Sequence, residues 1–189
     1  MVDQTQEKII SASGIQYRGL TADELCRELF GGFIRRQVVT KCWRRDRSQW
    51  VIRDDPFVDD WSEEDYQTLI VCLKHTITAG GFVRAAFVGG VLKGFVSVEP
   101  DFWGSRQEYL DLSSIHVSED MRGTGIGTAL FSAAKEWARA RGGKKLYISA
   151  HSAVESQAFY KKMGCVEALE YNQLHVDAEP FDCQLEYSL

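Results

Sequence analysis

At 189 residues, 44% hydrophobic and 26% charged, the chain has the size and composition of one ordinary globular domain with a substantial core. No apolar run approaches the length that a membrane span needs, and the net charge of −5 at pH 7 argues against a nucleic-acid partner. A mild negative field favours cationic ligands, although weakly.

The cysteines and the N-terminus together predict a cytoplasmic protein. Its expected oligomeric state is a monomer or a homodimer. The cysteines are odd in number, lie far apart and form no C-x-x-C pair, so reduced thiols are expected. They are Cys26, Cys42, Cys72, Cys165 and Cys183. Residues 1–8 lack the basic and apolar regions of a secretory signal peptide. The four histidines show no metal-ligand spacing, so no metal is expected.

In chain order, residues 9–18 predict a first strand, with residues 1–14 partly frayed. A capping box at residues 21–24 predicts a short helix. Residues 35–53 mix cations with tryptophans and favour a second helical piece.

An acidic and aromatic stretch, residues 54–65, comes next. Pro56 favours a loop at its start, and a capping box at residues 62–65 predicts the helix that follows. Two interpretations of this stretch stay open. Its acids complement the N-terminus of that helix from a solvated loop, or they join Phe57 and Trp61 in a pocket for a cationic amine.

Alternating residues then predict a hairpin of Phe82–Val88 and Val91–Val98, joined by a Gly-Gly turn. A turn-rich loop follows, in which Trp103 lies either in a hydrophobic seam or against a substrate. Residues 109–117 and Lys145–Ala150 predict two strands that run parallel through a right-handed crossover. The remaining predicted elements are a capped helix at 152–163, strands at 165–171 and 183–189, and a polar loop at 172–182.

The most informative stretch is residues 113–130, SSIHVSEDMRGTGIGTAL. It passes from an apolar strand through a polar turn and three alternate glycines into an Ala-rich helix. Glycines at a helix start let the backbone approach a ligand closely, and the free N–H groups and helix dipole there bind anions such as a diphosphate. Arg122 adds a positive charge whose fork matches phosphate oxygens.

Two other phosphate-binding loops are excluded. The chain has no G-x-x-x-x-G-K-[ST] run, so it has no P-loop. The dinucleotide fingerprint G-x-G-x-x-G fails because Thr128 or Leu130 stands where its third glycine belongs.

Two motifs make the chain similar to the GNAT superfamily of acyl-CoA-dependent N-acetyltransferases. The first is HVSEDMRGTGIGTALF, residues 116–131, with its R-x-x-G-x-G loop, and the second is ESQAFYKKMGC, residues 155–165. The resemblance is clear over residues 82–189 and rests on element order alone before them. It implies a single α/β (α+β) domain, residues 1–189, with a mixed, mostly antiparallel sheet of about seven strands and about four flanking helices. Two central parallel strands would be splayed apart.

The resemblance also implies acetyl-CoA as the cofactor. Its pantetheine arm would enter the gap between the splayed strands, and its diphosphate would lie on the glycine loop. The residues implied to bind it are Ile115, His116 and Val117 on the first strand; Arg122, Gly123, Thr124, Gly125, Ile126, Gly127 and Thr128 in the loop; and Ser152, Ser156 and Tyr160 on the last helix. One departure is Ala153, where the family usually has Asn.

The implied reaction is attack of a neutral amine on the thioester. A lysine-like amine has a pKa of about 10.4, so its neutral form costs roughly 4–5 kcal/mol at pH 7, which a base would offset. Asp111 is the first candidate, at a place where some family members carry a catalytic glutamate. The alternatives are His151, a water chain, or an Asp111 that only holds substrate. Tyr160 is predicted to be the general acid toward the sulfur, since a phenol stays protonated at pH 7.

The predicted acceptor is a small amine, possibly cationic or antibiotic-like, and its predicted contacts are Asp111, Trp103, Trp61 and His151. Two other functions stay open: a non-catalytic acyl-CoA-binding regulatory module, and an acetyltransferase for protein or peptide amines. Neither a nucleic acid nor a membrane is an expected partner.

Overall fold

The computed structural model of the protein describes residues 9–10, 14–47 and 49–189. The strands in these ranges are β1 (Ile9–Ile10), β2 (Gln16–Gly19), β3 (Arg36–Asp46), β4 (Gln49–Asp60), β5 (Phe82–Val88), β6 (Val91–Val98), β7 (Tyr109–Asp111), β8 (Ser114–Val117), β9 (Lys145–Ala150), β10 (Val166–Glu167) and β11 (Cys183–Ser188). The α-helices are α1 (Glu63–Thr78), α2 (Ile126–Ala140), α3 (Val154–Met163) and α4 (Gln173–Ala178). None of the helices described is long and apolar enough to cross a membrane. The predicted fraying of residues 1–14 falls largely outside the described residues.

The strands form two sheets and a separate hairpin. The five-stranded sheet has the order β1-β2-β5-β6-β8 and is antiparallel, the four-stranded sheet has the order β10-β11-β9-β7, and β3 pairs with β4 alone. In the four-stranded sheet, β7 and β9 are parallel, with Tyr109 opposite Lys145 and Asp111 opposite Tyr147. The predicted α+β class and the Gly89-Gly90 hairpin are therefore confirmed.

The predicted single strand at residues 109–117 is two strands that belong to different sheets. β7 pairs with β9, and the hydrogen bond from Leu112 N to Tyr147 O (2.9 Å) ends that ladder. β8 then pairs with β6 instead, His116 lying opposite Phe95. The continuous segment of β7 and β8 thus leaves the four-stranded sheet and joins the five-stranded sheet. As a result, β8 and β9 diverge and a gap opens between them.

The hairpin of β3 and β4 overturns two predictions, the second helical piece at residues 35–53 and the loop at Pro56. Most side chains on both strands are exposed, so no apolar period marked them in the sequence. Opposite charges across the hairpin, such as the ion pair of Arg44 with Asp55, stabilise the pairing. Pro56 has no N–H to donate to the ladder. It is tolerated because the register shifts between Val39 and Lys41, and the bulge there needs no donor at this position.

Three smaller predictions are also wrong. In place of one strand at residues 9–18, Ile9–Ile10 (β1) pairs antiparallel with Gln16–Gly19 (β2). The Thr21–Glu24 box closes a turn, with Glu24 also paired to Arg18, and a short 3-10 helix, Arg27–Phe30, follows in place of the predicted helix. In the last third, β10 covers only Val166–Glu167 of the predicted strand, and the predicted polar loop contains α4.

Two hydrophobic cores lie on opposite faces of the five-stranded sheet. The face toward α2 includes Val96, Leu130 and Phe131, while the face toward α1 includes Phe95 and residues such as Phe30 and Leu73. Helix α1 begins at the predicted capping box, in which Ser62 and Asp65 exchange side-chain to backbone hydrogen bonds. A third, small core of Val39, Cys42 and Ala153 joins the hairpin to α3.

Gly94 on β6 allows α2 to lie directly on the sheet. A Cβ at Gly94 would stand 2.7 Å from Cγ2 of Ile126 and 3.1 Å from Cδ1 of Leu130. We expect Gly94→Ala to lower the free energy of unfolding by about 1–3 kcal/mol, since α2 would have to shift. Urea denaturation measures this, and an unchanged midpoint would show that α2 does not depend on this contact.

Candidate active site

A cavity of about 1090 Å³ fills the gap between β8 and β9. It extends from the N-terminus of α2 to the hairpin on one side and to α4 on the other. The predicted site residues that line it are Ile115, His116, Val117, Arg122, Gly123, Gly125, Ile126, Gly127, Thr128, Ser156, Tyr160, Asp111, Trp61 and His151. One cavity thus contains most of the residues that the motifs indicated.

The glycine loop presents open backbone to this cavity. Gly123 and Gly125 have φ of +79° and +91°, in the left-handed region that only glycine occupies without strain, and a Cβ on either would meet nothing within 4 Å. Gly125 is the N-cap of α2, so the unpaired first-turn N–H groups lie at the cavity wall. Gly127 has a different role, because a Cβ there would lie 3.2 Å from the ring of Phe159. The loop therefore fits a bound diphosphate.

Arg122 and Thr124 hold the loop in place. The Arg122 guanidinium donates to the backbone oxygen of Arg36 at 2.7 Å, which ties the loop to β3. The Thr124 hydroxyl donates to the oxygen of Met121 at 2.7 Å, and Thr124 does not line the cavity. Arg122 uses one donor in this bond and keeps others for an anion.

Tyr160 on α3 faces the middle of the cavity. It is buried, and burial, with smaller effects of Cys165 and Asp182, raises the pKa of its phenol. No residue of the described ranges forms a hydrogen bond with its hydroxyl, which is therefore a protonated donor with a free hydrogen. Ser152, by contrast, is not brought to the cavity, because its hydroxyl accepts a hydrogen bond from Arg44 at 2.6 Å.

Asp111 is held by a histidine that the sequence analysis missed. Its carboxylate bonds Nε2 of His175 on α4, and its other oxygen is buried with no hydrogen-bond partner among the described residues. The bond to Asp111 is the main reason why the pKa of His175 is raised. Asp111 and His175 thus form a buried acid–imidazole pair at the cavity, and no short-range pattern could have predicted it.

Asp182 is a carboxylate at the cavity that the sequence analysis missed. It lies between α4 and β11 and lines the cavity, where the Ser149 hydroxyl donates to it at 3.4 Å. Burial, strengthened by the nearby charge of Glu179, raises the pKa of Asp182 to about 6. Its carboxyl group therefore titrates just below neutral pH.

The hairpin covers one side of the cavity with both charge and apolar surface. Asp59 on β4 forms an ion pair with the buried Arg35, whose guanidinium also lies 5.1 Å from the ring centre of Trp61. Phe57 and Val58 add exposed apolar side chains to the lining. The acidic stretch thus contributes to the cavity from a strand, which corrects the predicted loop.

The two histidines nearest the hairpin are neutral at pH 7. His151 Nδ1 accepts a hydrogen bond from Ala153 N at 3.2 Å, and burial lowers its pKa. His116 lies between the rings of Trp61 and Phe95, 4.7 and 5.4 Å between centroids. Burial and the charges of Arg35 and Arg122 lower the pKa of His116 to about 3.

Trp103 lies away from the cavity. Its ring stacks on Tyr109 at 4.8 Å and meets Tyr147 edge-on at 4.7 Å. The structure therefore places Trp103 in a hydrophobic seam, one of the two alternatives from the sequence, and not among the residues that could touch a substrate in the cavity.

Several solved structures share this fold. Nourseothricin acetyltransferase has a TM-score of 0.67 and 19% identity, over 91% of this chain and 95% of that chain. A putative streptothricin acetyltransferase from Bacillus anthracis str. Ames, in complex with acetyl coenzyme A, has a TM-score of 0.66 and 16% identity, over 93% and 97%. An aminoglycoside 6'-N-acetyltransferase complexed with coenzyme A has a TM-score of 0.51 and 14% identity, over 68% and 81%.

Sequence comparison agrees with the fold. Among curated proteins, no sequence matches the chain. The model of the acetyltransferase (GNAT) family matches residues 46–165, well over half of the chain and including the glycine loop and Tyr160. The chain therefore belongs to the GNAT family of acetyltransferases.

Proposed function

We propose that the protein transfers an acetyl group from acetyl-CoA to a primary amine of a small cationic molecule. The observation that carries this proposal is the single cavity that joins the open glycine loop, the free hydroxyl of Tyr160 and several carboxylates. Such a cavity can hold a donor and an acceptor together for direct attack.

The donor side fits coenzyme A, which supplies the thioester. The first turn of α2 and Arg122 would hold the diphosphate by backbone N–H groups, helix dipole and charge. β8 is the last strand of its sheet, so its outer edge has no strand partner among the described residues. The backbone of Ile115, His116 and Val117 would therefore pair with the pantetheine arm, with Ser156 on the opposite wall.

Tyr160 would act at the sulfur. Its phenol is protonated at pH 7 and can donate a hydrogen bond and then a proton as the C–S bond breaks. Asp111, held in place by its bond to His175, would contact the acceptor. His151 and Trp61 would form part of the wall around the acceptor.

The part of the cavity that the hairpin covers would bind the acceptor, and its lining favours a cationic small molecule. Asp60, Glu155, Glu179 and Asp182 place carboxylates at its border, and the aromatic ring of Phe57 offers cation–π contact. The hairpin covers this side, which favours a small acceptor over a protein chain. The structural likeness to nourseothricin and streptothricin acetyltransferases makes amine-bearing antibiotics the first compounds to test.

An amine panel assayed by release of free thiol from acetyl-CoA tests the function. We expect turnover with nourseothricin, kanamycin or spermidine, and none with acidic amines such as glutamate. Activity with lysine peptides alone would favour the protein acetyltransferase. Binding of acetyl-CoA by calorimetry without thiol release from any amine would favour the regulatory module instead.

We also place the enzyme in the cytoplasm. The free thiols support this location: none of the cysteines is in a disulfide within the described ranges. Burial raises the pKa of both Cys165 and Cys183 to about 12, so these thiols are unreactive.

A further inference from the structure

We propose that Asp182, on the segment between α4 and β11, takes the proton from the acceptor's ammonium group. The proposal rests on the acetyltransferase function proposed above and adds a residue that lies outside both family motifs. It makes Asp182 a catalytic residue, because its carboxylate would touch the reacting amine.

The sheet places Asp182 at the mouth of the gap. β11 runs antiparallel to β9, and Cys183 lies opposite Ala150, the last residue of β9. Asp182 precedes Cys183, so it lies where β9 ends and β8 and β9 are already apart. The Ser149 hydroxyl of β9 donates a long hydrogen bond to its carboxylate (3.4 Å), and both residues line the cavity.

Two other carboxylates that line the cavity are engaged by basic side chains. Asp111 is bonded to His175, and Asp59 is paired with Arg35. The oxygens that make these bonds are already occupied and are not free to receive an ammonium group. Within the described ranges, the side chain of Asp182 accepts only the long bond from Ser149, so its oxygens remain available to an incoming amine.

Burial, more than the surrounding charges, keeps Asp182 basic enough for this role. Glu179 opposes its ionisation from the same segment, whereas His175 on α4 and Arg44 on β3 favour it, and Tyr160 on α3 is a neutral neighbour. With a pKa of about 6, Asp182 is mostly ionised at pH 7 and accepts a proton far better than an ordinary aspartate.

The step balances as follows. Asp182 removes one proton from the ammonium group, and the freed nitrogen lone pair forms a C–N bond to the acetyl carbon. The C–S bond breaks with its electron pair on sulfur, which takes the phenol proton of Tyr160. Tyr160 regains a proton from the acetylated nitrogen, which leaves a neutral amide. Asp182 releases its proton to solvent.

The test compares Asp182→Asn with Asp177→Asn on nourseothricin, kanamycin and spermidine. Asp177 provides the same chemical change five residues earlier, on α4, but it is exposed, bonds Gln173 and does not line the cavity. We expect Asp182→Asn to lower kcat by about 100-fold, with KM and acetyl-CoA affinity changed less than threefold. Asp177→Asn should behave like the wild type.

The pH profile separates proton transfer from a structural role. Wild-type kcat/KM should fall as the pH drops through about 6, because protonated Asp182 cannot accept a proton. Asp182→Asn should lose this limb. His175, whose pKa is raised above that of an ordinary histidine, titrates at higher pH and should keep its own limb. Because the variant removes a buried charge, its Tm at pH 8 should not be below that of the wild type.

Four results would overturn the proposal. A raised KM with unchanged kcat would show that Asp182 only binds the cation, and an acid limb that persists in Asp182→Asn would assign that limb elsewhere. A wild type that binds acetyl-CoA but acetylates no amine would overturn the proposed function together with this role. An active wild type with an equally active Asp182→Asn would overturn the role of Asp182 alone.

Discussion

Gly125→Val is expected to weaken acetyl-CoA binding by at least about 100-fold while the protein stays folded. Gly125 has a φ of +91°, which a β-branched residue does not tolerate, so the loop must rearrange and turn its N–H groups away from the cavity. Hydrogen bonds to a charged group are worth about 1.5–3 kcal/mol each, so the loss of two accounts for a factor of 100 or more. Isothermal titration calorimetry measures the affinity directly.

Gly142→Val is the matched control. Gly142 lies just past the other end of α2, also has a φ of +91°, and a Cβ there also meets nothing within 4 Å. Both variants therefore carry a similar backbone strain of about 1–2 kcal/mol, but only Gly125 lies at the cavity. Equal affinities of the two variants would mean that the glycine loop does not bind the diphosphate.

Tyr160→Phe is expected to lower kcat by about 100- to 1,000-fold with little change in acetyl-CoA affinity. The phenol would act only when the C–S bond breaks, so its loss raises the barrier without weakening the bound state. Since no described residue bonds the hydroxyl, the phenylalanine ring should keep the packing and leave Tm within about 2 °C. Steady-state kinetics, calorimetry and thermal melting together separate these effects.

Tyr187→Phe provides the comparison for this variant. Tyr187 lies on β11 and packs edge-on against Phe131, with 5.6 Å between the ring centroids. It does not line the cavity, so loss of its hydroxyl should not change kcat. If Tyr160→Phe keeps the wild-type kcat, Tyr160 is not the general acid. A parallel fall of kcat in both variants would indicate damaged packing.

Local signals in the sequence were sufficient for much of the fold. The Ser62–Asp65 capping box, the Gly89-Gly90 turn and the glycines before α2 each act within a few residues, and the structure contains all three features. Each of these features is formed by residues that are close together in the chain, so a local sequence pattern reveals it. The parallel pairing of β7 with β9 followed from the helix predicted between them, because a helical crossover is the usual connection between parallel strands.

The hairpin could not be predicted in the same way. Two strands that stand apart from the main sheets bury few side chains, so the alternation that marks a half-buried strand is weak. Their pairing depends on contacts across the hairpin, including the ion pairs of Arg44 with Asp55 and Lys41 with Asp54. Local residue propensities cannot reveal such contacts, because the two partners lie on different strands.

The same limit applies to the candidate site. Residues inside the two family motifs, such as Arg122 and Tyr160, could be named from the sequence because the resemblance fixes their place. His175 and Asp182 lie on a polar segment with no motif, and only tertiary folding brings them beside Asp111 and Ser149. Sequence reasoning therefore named most of the cavity lining at the glycine loop, together with Asp111, Trp61 and His151, but it missed His175 and Asp182.

The hairpin's attachment bears on how this enzyme can change over evolution. It is joined to the body by the small core of Val39, Cys42 and Ala153 and by polar links such as Arg45 to Glu167. Neither main core includes its side chains. Mutations on the hairpin can therefore accumulate without unfolding the protein, and natural variants that accept new amines should differ there first.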